Sequence, residues 1–328
     1  MIHIINESTN PYFNLALEEY VIKEMDPGQD YFILWQNSPA VIVGKSQNTI
    51  EEIDQAYVEK HGIYVVRRLS GGGAVYHDLG NLNFTFITDN TGEVMENFKR
   101  FTEPVIQALA SLGVKAEFNS RNDLTIDGKK FSGNAQYYYQ KRILHHGTLL
   151  YNSDLERIGQ VLNVKPEKIV SKGVKSVRSR VTNIVDYLPR PVSLEEFKEV
   201  LVKHFNQSGR QVTEYRLSGE DLARVHQLVE TKYSTWEWNY GRSPAFNLKK
   251  SGRFAGGYLE FRLEVQKGYI KNCKIYGDFF GEKDVAELEE LLHQAKYERE
   301  EIKELLQKAD YAKYFSGITL EEVLSCII

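Results

Sequence analysis

Residues 114–151 read VKAEFNSRNDLTIDGKKFSGNAQYYYQKRILHHGTLLY and carry four short runs of strand-forming residues without a helical pattern between them. The runs cover residues 114–118, 122–126, 129–136 and 144–151. Strands that follow one another without intervening helices form antiparallel or mixed sheets rather than strictly parallel ones. The sequence therefore predicts an α+β fold with mixed or antiparallel strand pairing.

Asp127-Gly128 lies between two of these runs and predicts a two-residue type I′ turn. Such a turn places Ile126 opposite Lys129 and Thr125 opposite Lys130. Because side chains alternate along each strand, a polar face and a mainly apolar face are expected. The polar face consists of Arg121, Asp123, Thr125, Lys130, Ser132 and Asn134, and the other consists of Leu124, Ile126, Lys129, Phe131 and Gly133. The polar face suits a phosphate, a carboxylate and a metal ion, with an ordinary solvated hairpin face as the alternative.

Helical patterns lie on both sides of the strand-rich segment. Asn10 followed by Pro11 predicts a capped helix start, and apolar residues recur at helical spacing over 94–112. Ser153 with Glu156, and a second such pair at 193 and 196, predict helices near 154–163 and 194–206. Further helices are expected near 219–232, 284–294, 298–308 and 319–327, with a hairpin over 254–276. We place a domain boundary near residue 247, which gives domains over 1–246 and 247–328.

The composition is that of an ordinary globular chain. It has 328 residues, which suggests about two domains, and its 41 basic and 45 acidic residues give a net charge of −4. The chain therefore lacks the positive field typical of a nucleic-acid-binding protein. No apolar segment approaches the ~20 residues of a membrane-spanning helix, no secretory signal is expected, and two cysteines are too few for a disulfide framework. These features predict a cytoplasmic protein without nucleic-acid or membrane partners.

A glycine-rich loop follows the predicted strand 63–66 and reads RRLSGGGAVYHDLGN over residues 67–81. Three consecutive glycines expose backbone N–H groups and let a ligand approach the main chain, and the flanking arginines add positive charge. We interpret the loop as an anion-binding site, with a flexible hairpin loop as the alternative. Two familiar nucleotide motifs are excluded. Tyr76 occupies the position of a third small residue in the dinucleotide fingerprint, and Pro39 replaces the first glycine of a Walker loop.

Two further segments carry polar residues that need an explanation. His145 and His146 are adjacent on a predicted strand, so they point to opposite faces and cannot chelate one metal ion together. We expect structural histidines, or one that lines a pocket. Residues 171–183, SKGVKSVRSRVTN, form a basic loop that is either solvated or binds an anion and becomes ordered with it.

Taken together and in this order, these segments resemble the lipoate-protein ligase family. RRLSGGGAVYHDLGN is similar to the family's signature loop, and RNDLTIDGKKFSGNAQ is similar to its catalytic-lysine hairpin. LHHGTLLYNSDL and SKGVKSVRSRVTN resemble its ligand-contacting strand and its adenylate-binding loop. The resemblance extends over nearly the whole chain, through STWEWNYGRSP to a small C-terminal accessory domain.

The resemblance implies a mixed β-sheet flanked by helices, related to biotin ligase catalytic domains, with a small α+β C-terminal accessory domain. It implies that lipoate and Mg-ATP form lipoyl-AMP and pyrophosphate, and that the lipoyl group then passes to a lysine of an acceptor domain. The acceptors it implies are lipoyl domains of 2-oxoacid dehydrogenase complexes or the glycine cleavage H protein. Catalysis of this kind depends on cations and backbone donors around the reacting phosphate.

The resemblance also implies roles for individual residues. Lys130 is the expected catalytic residue, which contacts the lipoate carboxyl and the α-phosphate without becoming a covalent nucleophile. Asp123 is the candidate magnesium ligand, and an apolar tunnel is expected for the lipoyl tail. The residues expected to bind ATP, lipoate or the adenylate are Arg68, Ser70, Gly71, Gly72, Gly73, Ala74, Val75, Tyr76, His77, Arg121, Asn122, Asp123, Lys130, Ser132, Gly133, Ala135, His146, Gly147, Thr148, Lys172, Gly173, Ser176, Ser179 and Arg180.

Three alternatives share parts of this pattern. An ATP-independent lipoyl or octanoyl transferase has a related fold but works through a cysteine acyl-enzyme, whereas the first cysteine here is Cys273, beyond these motifs. A biotin ligase is expected to show an arginine-rich GRGR-like loop where this chain has its glycine loop. A non-catalytic lipoate or nucleotide carrier would keep the pocket without releasing pyrophosphate.

Overall fold

The chain divides into two compact units. A computed structural model describes residues 1–45, 47–91, 94–119, 122–162, 180–206, 212–241, 246–279 and 281–328. The first unit comprises Met1–Lys45 and Glu52–Thr235, and the second comprises Ser46–Glu51 and Trp236–Ile328. The domain boundary near residue 247 stays a prediction.

The helices and strands are numbered in chain order. They are β1 (Ile2–Ile5), α1 (Pro11–Glu24), β2 (Tyr31–Gln36), β3 (Ala40–Val43), α2 (Thr49–Glu52), α3 (Gln55–Lys60), β4 (Tyr64–Arg67), β5 (Val75–His77), β6 (Asn81–Asp89), α4 (Val94–Ser111), β7 (Glu117–Phe118), β8 (Asp123–Ile126), β9 (Lys129–Tyr139), β10 (Arg142–Leu150), α5 (Leu155–Val161), α6 (Leu194–Phe205), β11 (Thr213–Arg216), α7 (Gly219–Leu228), β12 (Phe246–Phe254), β13 (Gly257–Gln266), β14 (Tyr269–Gly277), α8 (Ala286–Leu291), α9 (Arg299–Lys308) and α10 (Leu320–Ser325). Short 3-10 or π-helical turns lie at Ile184–Tyr187, Val229–Tyr233, Glu237–Gly241 and Tyr311–Lys313.

A large mixed sheet is the centre of the first unit. Among the described residues it has eight strands in the order β11-β1-β2-β6-β10-β9-β8-β7. Strand β1 runs parallel to both β11 and β2, and the other paired strands are antiparallel. A smaller sheet, β4-β3-β5, is also mixed. The predicted α+β class with mixed strand pairing is confirmed.

Helices cover the two faces of the large sheet. On one face, Phe101 of α4 and Phe205 of α6 pack against Phe86 of β6. This is the apolar core of the first unit. On the other face lies α1, whose buried Glu18 accepts a hydrogen bond from Thr85 of β6. Residues that alternate along β6 and β10 therefore point either into the apolar core or toward α1.

Helix starts show which local signals were reliable. The Asn10 side chain caps α1 by accepting hydrogen bonds from two backbone N–H groups, and the Ser193 side chain caps α6 by accepting one from the N–H of Glu196. The predicted capping role of Ser153 is wrong, because Asp154 caps α5. The backbone N–H and C=O of Ser153 are instead bonded to the side-chain amide of Asn183, so its main chain belongs to a loop contact.

The second unit contains an antiparallel three-stranded sheet, β12-β13-β14, with helices α8, α9 and α10. The predicted hairpin over 254–276 is incomplete, because β12 was missed. Its sequence FNLKKSGRF is too polar in the middle to show a strand pattern. Phe261, Phe315 and Tyr297 are buried in the core of this unit. No described helix of the chain is long and apolar enough to cross a membrane.

Candidate active site

The hairpin of β8 and β9 has the predicted turn and the predicted register beside it. Asp127 and Gly128 both have positive φ, as a type I′ turn requires. Ile126 lies opposite Lys129, and Thr125 lies opposite Lys130. One residue further the register shifts, since Leu124 lies opposite Ser132 and leaves Phe131 as an extra residue in β9. This β-bulge was not visible in the sequence.

The bulge changes which residues share the Lys130 face. Gly133, rather than Ser132, now lies on that face, opposite Asp123. A side chain at position 133 would meet Lys130 Nζ at 2.8 Å, so glycine leaves room for the lysine there. Ser132 and Asn134 are buried on the opposite face. The prediction that these two residues share the face of Lys130 is therefore wrong.

Backbone hydrogen bonds fix the main chain of Lys130, and its ammonium group remains partly accessible. Its backbone N–H donates to the carbonyl of Arg180, and its carbonyl accepts from the N–H of Thr182, at 2.8 and 2.9 Å. The described end of the predicted basic loop therefore lies beside β9. The Lys130 side chain is 38% exposed, and its Nζ lies 2.7 Å from a carboxylate oxygen of Asp123. This partly solvated pair can exchange for ligand contacts at modest cost.

The glycine loop is built around the guanidinium of Arg68. Its Nη2 donates to the carbonyls of Gly71 and Gly73 at 2.7 and 2.8 Å, its Nη1 donates to Ile42, and its Nε donates to Ser70 Oγ. Burial lowers the pKa of Arg68 to about 10, which still leaves it charged at neutral pH. These hydrogen bonds hold the glycine loop together. Arg68 also lines the cavity, and its nucleotide contact stays a prediction.

Positions 72 and 73 differ in how strictly the structure requires a glycine, and substitution by alanine tests this difference. Gly72 has φ +92°, and an added Cβ would lie 3.0 Å from Arg68 Nη2. We expect Gly72→Ala to lower the free energy of unfolding of the free protein by about 1 kcal/mol or more.

Gly73 has no described heavy atom within 4 Å of such a Cβ. We expect Gly73→Ala to keep its stability and to raise the KM for ATP or lipoate. Thermal unfolding and steady-state kinetics check both results, and equal losses of stability would contradict them.

The two adjacent histidines of β10 point to opposite faces, as predicted. His145 packs against Phe84 and Phe101 in the apolar core, and its Nδ1 and Nε2 are bonded to Gln136 and Asn134. Burial holds its pKa well below the ordinary value. It is therefore a neutral structural histidine.

His146 faces α1 and belongs to a continuous polar chain. Its Nδ1 lies 3.0 Å from Glu18 Oε1, and its Nε2 lies 2.6 Å from Ser70 Oγ. A carboxylate can only accept, so Nδ1–H donates to Glu18. In that neutral tautomer Nε2 accepts from the Ser70 hydroxyl, whose oxygen in turn accepts from Arg68. The chain connects the glycine loop to a buried glutamate of α1. Glu18 was not predicted, although a pair of glutamates in a buried, mostly apolar helix is itself a signal that charges must be paired.

A cavity of about 140 Å³ joins the predicted motifs within the first unit. The predicted site residues that line it are Arg68, Gly72, Gly73, Ala74, Val75, His77, Asn122, Lys130, Gly133, Ala135, His146, Gly147 and Thr148. Asn134, which the sequence assigned to the polar hairpin face, also lines the cavity. The lining residues that sequence reasoning missed are Leu15, Trp35, Ile42 and Asn83. The glycine loop, the hairpin and β10 thus meet around one space. The missed residues come from distant parts of the chain and carry no local motif.

Other predicted residues lie beside the cavity or outside the described residues. Ser70, Gly71 and Asp123 support lining residues through the contacts given above. Tyr76 points to the face of β5 opposite Val75 and His77, away from the cavity. Ser132 is buried on the far side of β9, and Arg180 contributes its backbone carbonyl. The residues outside the described part of the chain are Arg121, Lys172, Gly173, Ser176 and Ser179.

Comparison with known proteins identifies this arrangement. A family model described as the lipoyl protein ligase A/B catalytic domain matches residues 10–206, and a model of the bacterial lipoate protein ligase C-terminus matches residues 243–327. The chain belongs to the lipoate-protein ligase family. Within the family, the lipoate-protein ligase LplJ of Bacillus subtilis is 52% identical over 330 residues, which covers 100% of both chains.

Solved structures of lipoate-protein ligases resemble about three quarters of this chain. A bipartite lipoate protein ligase from Thermoplasma acidophilum, described together with its E2 lipoyl domain, is 32% identical with a TM-score of 0.67. That match covers 74% of this chain and 96% of the archaeal one. Lipoate-protein ligase A bound with ATP is 29% identical with a TM-score of 0.65 and covers 74% of this chain and 98% of its own.

Proposed function

We propose that this protein is a lipoate-protein ligase that forms lipoyl-AMP from lipoate and ATP and then transfers the lipoyl group to an acceptor lysine. The observation that carries the proposal is the single cavity lined by Lys130, the glycine loop and apolar side chains. The acceptors we propose are lipoyl domains of 2-oxoacid dehydrogenase complexes or the glycine cleavage H protein. Family membership over the whole chain and the E2 lipoyl domain of the archaeal relative support this choice. Use of ATP agrees with the cytoplasmic location that the sequence predicts.

The apolar part of the cavity suits the carbon chain of lipoate. Leu15, Trp35 and Ile42 line it and are almost fully buried, and Val75 adds a partly exposed apolar wall. Transfer of each CH₂ group from water to such a wall is favourable by about 0.8 kcal/mol. We propose these four side chains as walls of the lipoyl site, which sequence reasoning expected but did not assign.

Lys130 supplies positive charge for the first step. A carboxylate oxygen of lipoate attacks the α-phosphorus of ATP, the bond to the oxygen that bridges the α- and β-phosphorus atoms breaks, and pyrophosphate leaves. The two reactants are both anions, so a cation held at the junction of hairpin and glycine loop stabilises the transition state more than the separated reactants. Gly73 and Ala74 line the same space, and the missing side chain of Gly73 lets the nucleotide approach the backbone closely.

The second step uses the same centre. The acceptor lysine, as a free amine, attacks the acyl carbonyl of lipoyl-AMP, the bond from carbonyl carbon to phosphate oxygen breaks, and AMP leaves. The amide nitrogen loses a proton. Lys130 carries charge in both steps and forms no covalent bond to the acyl group.

Magnesium would supply further positive charge to the phosphates, and Asp123 fits it as a ligand. Mg²⁺ is usually held by one or two carboxylates together with substrate phosphates. The Asp123 carboxylate is 26% exposed and lies beside the cavity lysine, so a phosphate held by Lys130 comes near it. Among the described residues no group of three or more metal-ligating side chains is present.

The role of Asp123 gives a separate prediction. We expect Asp123→Asn to raise the Mg²⁺ concentration needed for half-maximal pyrophosphate release by about tenfold or more, since even the loss of an outer-sphere partner costs about tenfold. A magnesium titration at fixed ATP measures this. Glu117→Gln, which removes an exposed carboxylate near the same hairpin, serves as the control and should leave the titration unchanged. An unchanged Mg²⁺ requirement in Asp123→Asn would rule out the ligand assignment.

The cysteines argue against the transferase alternative. The chain has two, Cys273 and Cys326, and both are buried in the second unit. Burial raises the pKa of Cys273 to about 12 and also raises that of Cys326. A thiol nucleophile needs a lowered pKa and access to its substrate. Neither cysteine meets these conditions.

The function is tested with ATP, lipoate and a panel of separate unlipoylated acceptor domains. We expect pyrophosphate release that depends on lipoate, followed by a mass increase of one lipoyl group on at least one acceptor. Octanoyl transfer from a carrier protein without ATP would support the transferase instead. Binding of lipoate without pyrophosphate release would support the carrier.

A further inference from the structure

His77 carries an unused hydrogen-bond donor in the wall of the cavity. Its ring is 3% exposed and lines the cavity beside Val75. Nδ1 is bonded to the side-chain amide of Asn37, whereas Nε2 has no hydrogen-bond partner in the described part of the chain. A buried donor without a partner costs about 1–3 kcal/mol, so such an atom on a residue that lines a cavity points to a ligand.

The proton of His77 is assigned by a chain of amides. Asn14 donates through Nδ2 to the backbone carbonyls of Ser8 and Gln36, which can only accept. Asn37 Oδ1 lies 2.8 Å from the same nitrogen and shares one of its two N–H groups, so Asn37 presents its Nδ2 to His77. Nδ1 of His77 must then accept, at 3.1 Å, and Nε2 carries the proton. The backbone carbonyls of Ser8 and Gln36 thus fix the tautomer of His77 through the side chains of Asn14 and Asn37.

The ring is also kept uncharged. Burial is the main cause that lowers the pKa of His77 to about 3, and the positive charge of Arg68 contributes to the same shift. The Glu18 carboxylate is engaged with His146 and Thr85. His77 therefore offers a single neutral N–H at physiological pH.

The donor lies away from the reacting end of the cavity. An added Cβ at Gly133 would lie 2.8 Å from Lys130 Nζ, so the ammonium group lies near the level of Gly133, two residues before Ala135 on β9. Ala135 lies opposite His146, which lines the cavity as His77 does. At about 3.3 Å per residue, the Lys130 ammonium group and His146 are separated by roughly 7 Å along the strand. A carboxylate held near Lys130 therefore leaves the other end of an extended acid at the level of His146 and His77.

The surroundings of His77 favour an uncharged acceptor. The Nε, Nη1 and Nη2 groups of Arg68 all donate to protein acceptors, so the guanidinium is already engaged by the loop. Trp35 and Val75 make the remaining wall apolar. A soft, uncharged acceptor on an apolar chain fits this place, and a sulfur atom is such an acceptor.

We propose that the Nε2–H group of His77 donates a hydrogen bond to a ring sulfur of bound lipoate and so gives this enzyme a preference for lipoate over octanoate. Octanoate has the same carbon chain without the two sulfurs and leaves the donor unpaired. The inference rests on the proposed ligase function and adds a specificity-determining residue to it. Asn37 and Asn14 are positioning residues that act through His77.

The test compares lipoate and octanoate on the same protein. We expect His77→Phe, which keeps an aromatic ring beside Trp35 but has no donor, to lower the ratio of kcat/KM for lipoate to kcat/KM for octanoate by about tenfold. His77→Gln retains an amide N–H and should restore part of the ratio. Because both substrates are measured on one preparation, partial unfolding of a variant cancels. An equal loss for both substrates, or no loss, would overturn the proposal.

NMR of the wild-type protein with isotope-labelled histidine provides a second measurement. It should show Nε2 of His77 as the protonated nitrogen, with a resonance that shifts when lipoate binds and not when octanoate binds. Protonation at Nδ1, or the same shift with both acids, would overturn the proposal without any variant. If the wild-type protein activates neither acid, the proposed function itself fails. If it activates both and the ratio is insensitive to His77, only this inference fails.

Discussion

Lys130→Ala should lower lipoate-dependent pyrophosphate release by about 100-fold to 1,000-fold, the cost of removing one well-placed group that stabilises transition-state charge. Its stability should change little, because the side chain is 38% exposed and its visible ion pair is a partly solvated one. The backbone hydrogen bonds from residue 130 to Arg180 and Thr182 do not depend on the side chain. Stopped assays of pyrophosphate release, with thermal unfolding of the free protein, measure both quantities.

Lys129 is the matched control for this experiment. It is exposed, it lies opposite Ile126, and it points to the other face of the hairpin. Lys129→Ala should keep activity within a few-fold of the original. Adding preformed lipoyl-AMP and an acceptor then shows whether Lys130→Ala also slows the second step. Similar losses in both alanine variants would contradict the assignment of Lys130.

Arg68→Lys should destabilise the free protein by about 3 kcal/mol or more and also impair catalysis. Lysine keeps the charge but cannot reach the separate acceptors that the guanidinium fork serves, namely Ser70 Oγ and the carbonyls of Ile42, Gly71 and Gly73. Each buried acceptor left without a donor costs about 1–3 kcal/mol. Denaturant unfolding without ligand measures the loss.

The unfolding experiment with Arg68→Lys distinguishes two roles for Arg68. If it contacts the nucleotide directly, as the sequence suggested, Arg68→Lys should raise the KM for ATP and leave the unliganded stability nearly intact. If it organises the loop, stability falls before any ligand is present. Arg190→Lys is the control, because Arg190 is exposed and pairs only with the neighbouring Glu196 side chain and a local carbonyl in the described structure. Arg190→Lys should leave the free energy of unfolding unchanged.

Local chemistry predicted the parts of the site that lie within one turn or one strand. Asp127-Gly128 determined the register next to the turn, and the alternation of a strand separated His145 from His146. The bulge at Phe131 was missed, because nothing in the sequence of β9 distinguishes an extra residue from a regular one. Because of this bulge, Gly133 takes the place on the Lys130 face that the sequence had assigned to Ser132.

Contacts between distant segments were not predictable from one sequence. Glu18 meets His146 across 128 residues, and Asn37 meets His77 across 40. Neither pair has a spacing that a local rule would select, since each depends on which strands become neighbours in the sheet. The resemblance to a family located the motifs, but it did not show that Arg68 is occupied by the loop or which nitrogen of His77 is protonated.

The short segment Ser46–Glu51 belongs to the second unit although it lies early in the chain. Ile50 is 7% exposed within the apolar core of that unit, and the Thr49 hydroxyl donates to the backbone carbonyl of Asn239. Truncation before Trp236 would therefore remove the remainder of this core. It would leave Ile50 as a solvent-exposed apolar side chain on the N-terminal fragment. The C-terminal fragment would in turn carry a gap at the position of Ile50. The second unit cannot be transplanted as one continuous piece of sequence, and a transferable version would have to include a copy of residues 46–51.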